Sequence, residues 1–267
     1  MNIRNVLVVG GGTAGWMTAA ALIKLCPHVK TSLIESPNHP VIGVGESTLG
    51  QINDFFHILD LKDEMWMKET GSTYKVNIRF NDFYKKGETW DYPFGKAVPI
   101  IDEIYPHGWM SWFALNLQQP EKYSRDTFAR SHNSVGHLAW NNKLTGEDDN
   151  WNYDSDTAYH MDAIKFGQWL KNNYCPGLNY LQGNVVGCEK DEQGYITTLL
   201  TDDDRRLEYD LYIDCTGFKS LLLEQFMGEE FVSFHVDGGG CLLNDRAVTC
   251  HVPHKDPETE VTNTTNC

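Results

Sequence analysis

Four consecutive apolar residues, Val6 to Val9, run directly into Gly10-Gly11-Gly12-Thr13-Ala14-Gly15, after which the apolar positions take on helical spacing. An unbroken apolar run of this length predicts a strand buried on both faces. The helical pattern predicts a helix from about Ala14 to Leu25, stopped by Pro27. A second strand, Lys30 to Glu35, completes a βαβ unit. Farther on, Lys75-Val-Asn-Ile-Arg-Phe80 alternates strictly. Val76, Ile78 and Phe80 share one face; Lys75, Asn77 and Arg79 share the other. That pattern predicts a half-buried strand whose lysine points to water or into a polar cavity. Residues 81–155 lose the periodicity and become rich in Trp, Tyr, Pro, Asn and His. Tyr159 to Tyr174 regains a helical stripe (Phe166, Trp169, Leu170, Tyr174), with Asp162 as a candidate N-cap. Leu178–Glu189, Tyr195–Leu200 and Leu207–Cys215 read as strands, with Gly194 in a turn, and His251 to Cys267 reads as a frayed polar tail.

The glycine turn carries the first candidate chemistry. Gly10 permits a tight turn, Gly12 lets the backbone approach a pyrophosphate, and Gly15 lets the helix pack close to the strand. The helix that starts at about Ala14 presents its free N–H groups and dipole to the anion. Glu35, twenty residues past Gly15, can hold a ribose 2′-OH, and its charge selects FAD or NAD over NADP. Val44-Gly45-Glu46-Ser47-Thr48 reads as a loop that crosses a ligand. An apolar strand then runs into Asp214-Cys-Thr-Gly217. There the acid can bind a ribityl or ribose hydroxyl, and the glycine allows close approach. A plain turn-initiating Asp is the competing reading of Asp214. Two such turns far apart suggest one long cofactor held at both ends, as FAD is.

Composition narrows the partners. The net charge of -15 argues against nucleic acid and anionic membrane. No apolar stretch reaches the roughly 20 residues a membrane helix needs, and no signal peptide precedes the first strand. Seven cysteines without C-x-x-C spacing read as reduced thiols of a cytoplasmic protein. His251-x-x-His254 with Asp256 sits in a Pro-containing tail rather than on a helix, so no metal site is assigned. Asn263-Thr-Thr265 matches the glycosylation pattern, but nothing else points to secretion.

With these segments in hand, the chain resembles the flavin-dependent halogenases of the tryptophan-halogenase type. The matching stretches are Gly10-Gly-Gly-Thr-Ala-Gly15-Trp16, Gly43-Val-Gly-Glu46-Ser-Thr48, Gly71-Ser-Thr-Tyr-Lys75, Tyr92-Pro-Phe94-Gly95, Tyr159-His-Met-Asp162, Ile213-Asp-Cys-Thr-Gly217-Phe218 and Leu242-Leu-Asn-Asp-Arg246-Ala247. The resemblance implies a chemistry. Reduced FAD from a separate NAD(P)H-dependent reductase reacts with O2 to give a flavin hydroperoxide. Halide attacks it, and the hypohalous acid reaches a lysine that delivers halogen to an electron-rich small aromatic molecule. Lys75 stands where the family places that lysine. The cofactor contacts expected with it are Gly10, Gly12, Thr13, Ala14, Gly15, Glu35, Val44, Gly45, Glu46, Ser47, Thr48, Val185, Asp214 and Gly217. Tyr92 and Phe94 are the expected substrate face. Read from the residues alone, a solvated strand lysine is the favoured reading of Lys75; only the resemblance assigns it the catalytic role.

Two departures stand out. The family's Gly-Trp-x-Trp-x-Ile-Pro motif is absent, so the chain reads as the N-terminal portion of a longer one. The family's His-x-Phe-Gly becomes Tyr92-x-Phe94-Gly95, which points to a substrate other than tryptophan. The expected fold is a doubly wound, Rossmann-like α/β FAD-binding domain from residues 1–80 and 156–236. An aromatic-rich inserted substrate region at 81–155 and a glycine-rich connection and polar tail at 237–267 accompany it. A flavin-dependent aromatic hydroxylase and an FAD-binding piece without catalysis remain the alternatives, and a homo-oligomer is left open.

Overall fold

The apolar run ending at Val9 forms a central strand of a parallel sheet in the computed structural model of this chain, which describes residues 3–38, 47–95, 108–144, 152–233, 248, 250 and 263–267. The elements in chain order are β1 (Asn5–Val9), α1 (Thr13–Leu25), β2 (Lys30–Glu35), α2 (Ile52–Leu59), α3 (Asp63–Thr70), β3 (Thr73–Lys75), β4 (Asn77–Asn81), β5 (Thr89–Pro93), α4 (Gly108–Gln118), α5 (Arg125–His132), α6 (Ser134–Trp140), α7 (Tyr153–Asp156), β6 (Ala158–His160), α8 (Ala163–Trp169), β7 (Asn179–Gln182), β8 (Val185–Lys190), β9 (Ile196–Thr201), β10 (Arg206–Glu208), β11 (Leu211–Asp214) and β12 (Thr264–Asn266). They fall into two compact units. The first comprises Met1–Gly45, Ile58–Thr70 and Asp162–His251; the second comprises Glu46–His57, Gly71–Met161 and Val252–Cys267.

In the first unit the sheet order is β11-β1-β2-β7, every pair parallel. Alternation along β1 and β2 gives each face its own partner. Trp16, Ala19 and Ala20 of α1 are buried, and Gly15 brings that helix against Leu33. Leu7, Val9 and Ile34 face the other way and pack with Leu199, Leu207 and Leu222. That layer is the antiparallel sheet β10-β9-β8 together with the helical turn Leu221–Phe226. Each fully buried leucine here contributes roughly 1.5–3 kcal/mol.

Three expectations shift in this unit. The strand expected over Leu178–Glu189 bends at Gly183 and Asn184, so β7 extends the parallel sheet and β8 starts the antiparallel one. The strand expected over Leu207–Cys215 is cut at Tyr209 and Asp210, because the Asp210 carboxylate turns back to accept the N–H groups of Arg4 and Asn5. The helix expected from Tyr159 begins only at Ala163. The Asp162 side chain caps it by accepting from Lys165 N at 3.0 Å, and the Leu170–Tyr174 stretch closes it with a π-type turn.

The second unit holds the sheet β12-β4-β5 and the antiparallel pair β3–β6. Here the alternation misreads the wet face. Lys75 and Asn77 are buried, Asp91 is buried, and Val76 between them is buried too. Asn77 donates to Asp91 at 2.8 Å, and Arg79 pairs with the same carboxylate at 2.9 Å. Polar groups can enter a core when they find partners; the Asn77 amide nitrogen and the Asp91 carboxylate do, while Asn77 Oδ1 is buried without one among the described residues. The tail expected to fray is instead ordered at its end: Thr264–Asn266 pairs in parallel with Asn77–Arg79, and Asn263 accepts from Val76 N. Asn263 is 1% exposed, and its side-chain amide donates to Lys143 O at 3.3 Å. Gly238–Gly240, His251, His254 and Asp256 lie outside the described residues.

Candidate cofactor cleft and lysine site

Between β1 and α1 the three glycines that bear the fingerprint face different neighbours. At Gly10, φ is +119° and a Cβ would lie 2.2 Å from Cys215 O; at Gly15 it would lie 1.9 Å from Gly10 O. Both glycines are therefore required by the chain's own backbone. At Gly12 a Cβ would meet nothing within 4 Å. That free space lies at the N-terminus of α1, whose first intrahelical bond runs from Trp16 N to Gly12 O. The N–H groups before Trp16 have no partner within the helix and carry the positive end of its dipole.

A cleft opens beside this turn, lined by Gly11, Thr13, Trp16, Glu35, Ile164, Gly167, Gln168 and Lys171. Two packing details hold α8 against it. Thr13 Oγ1 donates to Ala163 O at 2.7 Å, and a Cβ at Gly167 would sit 3.5 Å from Thr13 Cα. Glu35 lies across Gly11, with its carboxylate accepting from Tyr180 OH at 2.8 Å and Lys171 Nζ at 3.3 Å. Burial first, and then the bond to Glu35, pushes the Tyr180 phenol up, so it remains the donor. Of the residues expected to touch a cofactor, Gly10, Gly12, Thr13, Ala14, Gly15 and Glu35 meet around this turn. Lys171, Tyr180, Gln168 and Gly167 join them without having been expected. Gln168 and Lys171 are three apart on a helix, a same-face spacing eclipsed by the apolar stripe beside it.

The second expected turn has a different neighbourhood. Asp214 Oδ1 accepts from Thr216 N and Oγ1, and Oδ2 accepts from Leu222 N and Leu223 N. The carboxylate thus caps the Leu221–Phe226 turn. Gly217 has φ +64°, which suits glycine. Val185 packs against the Leu7 core cluster rather than lining the cleft. Asp214→Ala is expected to lower stability by about 2 kcal/mol, from lost capping and charge-assisted bonds. Thermal unfolding measures it, and an unchanged midpoint would deny the carboxylate this capping role.

In the second unit, Lys75 is 2% exposed. Its Nζ donates to Ser47 Oγ at 3.2 Å and to Thr48 O at 2.9 Å, and lies 5.5 Å from the centre of the Phe94 ring. Thr48 is itself fixed: its N–H donates to Tyr159 O, and its Oγ1 accepts from Tyr159 N at 2.9 Å. No ion pair to Lys75 occurs among the described residues. Burial pushes its pKa down, only partly countered by charge at Cys267. The structure thus joins Lys75 to Phe94, and Tyr92 meets the Phe94 ring edge-on at 6.3 Å while remaining 58% exposed. Ser47 and Thr48, expected as cofactor contacts, are found holding the lysine. Val44, Gly45 and Glu46 lie outside the described residues.

Comparison with known proteins identifies the family. Residues 5–266 match the family model for tryptophan halogenase. The chain is 32% identical to tryptophan 6-halogenase SttH of Streptomyces toxytricini over 95% of its own length and 51% of that protein's. It is 30% identical to tryptophan 7-halogenase RebH of Lentzea aerocolonigenes, over 95% and 49%. The solved apo structure of VirX1 superposes with a TM-score of 0.81 at 47% identity, covering 88% of this chain and 46% of that one. The chain spans about half the length of the curated relatives it matches. The match over residues 5–266, on a chain whose parallel sheet bears a glycine turn and whose second unit buries a lysine, establishes that this chain belongs to the tryptophan halogenase family.

Proposed function

We propose that this chain forms the cofactor-binding and lysine-bearing part of a flavin-dependent halogenase that acts on an electron-rich small aromatic molecule. The observation that carries the reading is Lys75: a buried ammonium with three N–H donors, two of them engaged by Ser47 and Thr48. The third has no partner among the described residues, and we assign it to an oxygen atom of an incoming oxidant.

The residues present suit FAD. The empty volume beside Gly12 is the cradle that a diphosphate needs, at a helix N-terminus, and Glu35 stands at the cleft edge for a ribose hydroxyl. When bound in reduced form, FAD supplies, with O2, the two-electron oxidation of halide to hypohalous acid. The chain's own groups do the rest. Gly12, Thr13 and Ala14 hold the diphosphate through backbone N–H groups. Lys75 Nζ donates to the oxygen of hypohalous acid, drawing electrons from the halogen and making it the better electrophile. Phe94 walls the ammonium from water, which strengthens that hydrogen bond. Tyr92 and Phe94 offer ring faces and edges on which a planar substrate can rest. A separate NAD(P)H-dependent flavin reductase provides the reduced cofactor.

The test supplies the chain with FAD, a flavin reductase, NADH, O2 and bromide, over a panel of indoles, phenols and pyrroles. Brominated product, detected by its isotope doublet, supports the reading. Hydroxylated product that forms without halide would replace it with the hydroxylase reading. FAD binding with neither product would show that this length of chain lacks the catalytic machinery.

A further inference from the structure

We infer that Lys171 is a positioning residue for the adenosine side of the cofactor, acting through Glu35; this rests on the flavin reading above. Four observations converge on it. Lys171 lines the cleft beside Gly11 and Thr13. Its Nζ pairs with Glu35 Oε2 at 3.3 Å, with both side chains about one-third exposed. The ammonium lies 3.7 Å from the centre of the Tyr180 ring and 5.4 Å from that of Trp16. Those two rings stack on each other, 6.0 Å apart at 27°. Finally, Lys171 enters the cleft from the π-type turn that ends α8, and such widened turns recur at functional sites.

The physical logic follows from charge. A carboxylate aimed at a ribose would repel the diphosphate of the same ligand if it stood alone. An ammonium beside it offsets that field and fixes which Glu35 oxygen remains free to accept from a hydroxyl. Tyr180 OH occupies the same oxygen as Lys171, Oε2, which leaves Oε1 for the ligand. The two-ring shelf keeps a flexible lysine in place: cation–π contact favours the ammonium over the ring faces. Trp16, the residue that follows Gly15, thereby gains a role in cofactor recognition rather than in packing alone.

The experiment is a double-mutant cycle on ligand binding, with no turnover involved. FAD and ADP affinities are measured by calorimetry for the wild-type chain, Lys171→Met, Glu35→Gln and the double variant. Lys171→Met is expected to weaken both ligands roughly tenfold, an effect within the range of coupled charge pairs. The double variant is expected to lose less than the product of the two single losses. Lys171→Arg, which keeps the charge and the ring contact, is expected to restore most of the affinity. Thermal melts of each variant check that the fold persists. Wild-type affinity in a folded Lys171→Met chain, or losses that simply multiply, would overturn the inference. A wild-type chain that binds neither FAD nor ADP would instead overturn the flavin reading.

Discussion

Lys75→Met is expected to abolish halogenated product while making the fold more stable. The two effects have one cause. The ammonium is buried with no carboxylate partner among the described residues, and its hydrogen bonds run only to Ser47 Oγ and Thr48 O. Removing a buried charge that has no ion-pair partner relieves its desolvation cost, which outweighs the two hydrogen bonds lost at Ser47 Oγ and Thr48 O. Removing the donor that polarises an oxidant costs about a hundredfold or more in rate. FAD affinity should be unchanged, since Lys75 is not among the residues that line the cleft beside the fingerprint turn. The pH dependence gives a second check. Burial holds the folded-state pKa below the ordinary 10.5, so between those two values the unfolded chain binds more protons than the folded one. The wild-type chain therefore gains stability as pH rises through that window. The advantage of the methionine variant should be full near neutrality and shrink as pH approaches 10.5. Denaturant midpoints at two pH values measure this, alongside product assays. A variant that still halogenates, or one less stable than wild type at neutral pH, would mean that Lys75 serves packing rather than chemistry.

What the sequence disclosed, and what it hid, follows from how local each signal is. The βαβ unit was legible because its cues are covalent neighbours: an apolar run, a glycine turn, a helical stripe and an acid at a fixed distance. Observed β1, α1 and β2 lie within a residue of the expected ends. The strand expected over Lys75–Phe80 is split at Val76 into the end of β3 and most of β4, which pair in different sheets, and its burial was not legible either. Period-two alternation reports which side chains share a face, and a polar face usually meets water. Here the Asn77 amide donates to Asp91 and Thr264 across three strands, and both acceptors are distant from Asn77 in sequence. The closing strand was hidden for the same reason. Thr264–Asn266 has no apolar pattern of its own and is recruited by the open side of β4. Lys171 went unseen because its partners, Glu35 and Tyr180, come from neighbouring strands that only the fold brings together.

Substitution of the three fingerprint glycines by alanine is expected to separate folding from cofactor binding. At Gly10 the new methyl would sit 2.2 Å from Cys215 O on a backbone with φ +119°; at Gly15 it would sit 1.9 Å from Gly10 O. Both obstacles are main chain, so no rotamer change relieves them. β1, β11 and the start of α1 would have to move apart. Each variant should lose about 3 kcal/mol or more, and flavin binding should disappear with the fold. Gly12 is the contrasting case. Its φ of -71° and ψ of 178° suit any residue, and a methyl there meets nothing within 4 Å. Gly12→Ala should therefore keep the apo stability to within about 1 kcal/mol, yet weaken FAD at least tenfold by occupying the space a diphosphate needs to reach the helix N–H groups. Melting curves without ligand and flavin-fluorescence titrations with it measure the two quantities on the same samples. Wild-type FAD affinity in Gly12→Ala would place the diphosphate elsewhere, and with it the rest of the proposed cofactor path; normal stability in Gly10→Ala would deny the close approach of β1 and β11 on which the cleft is built.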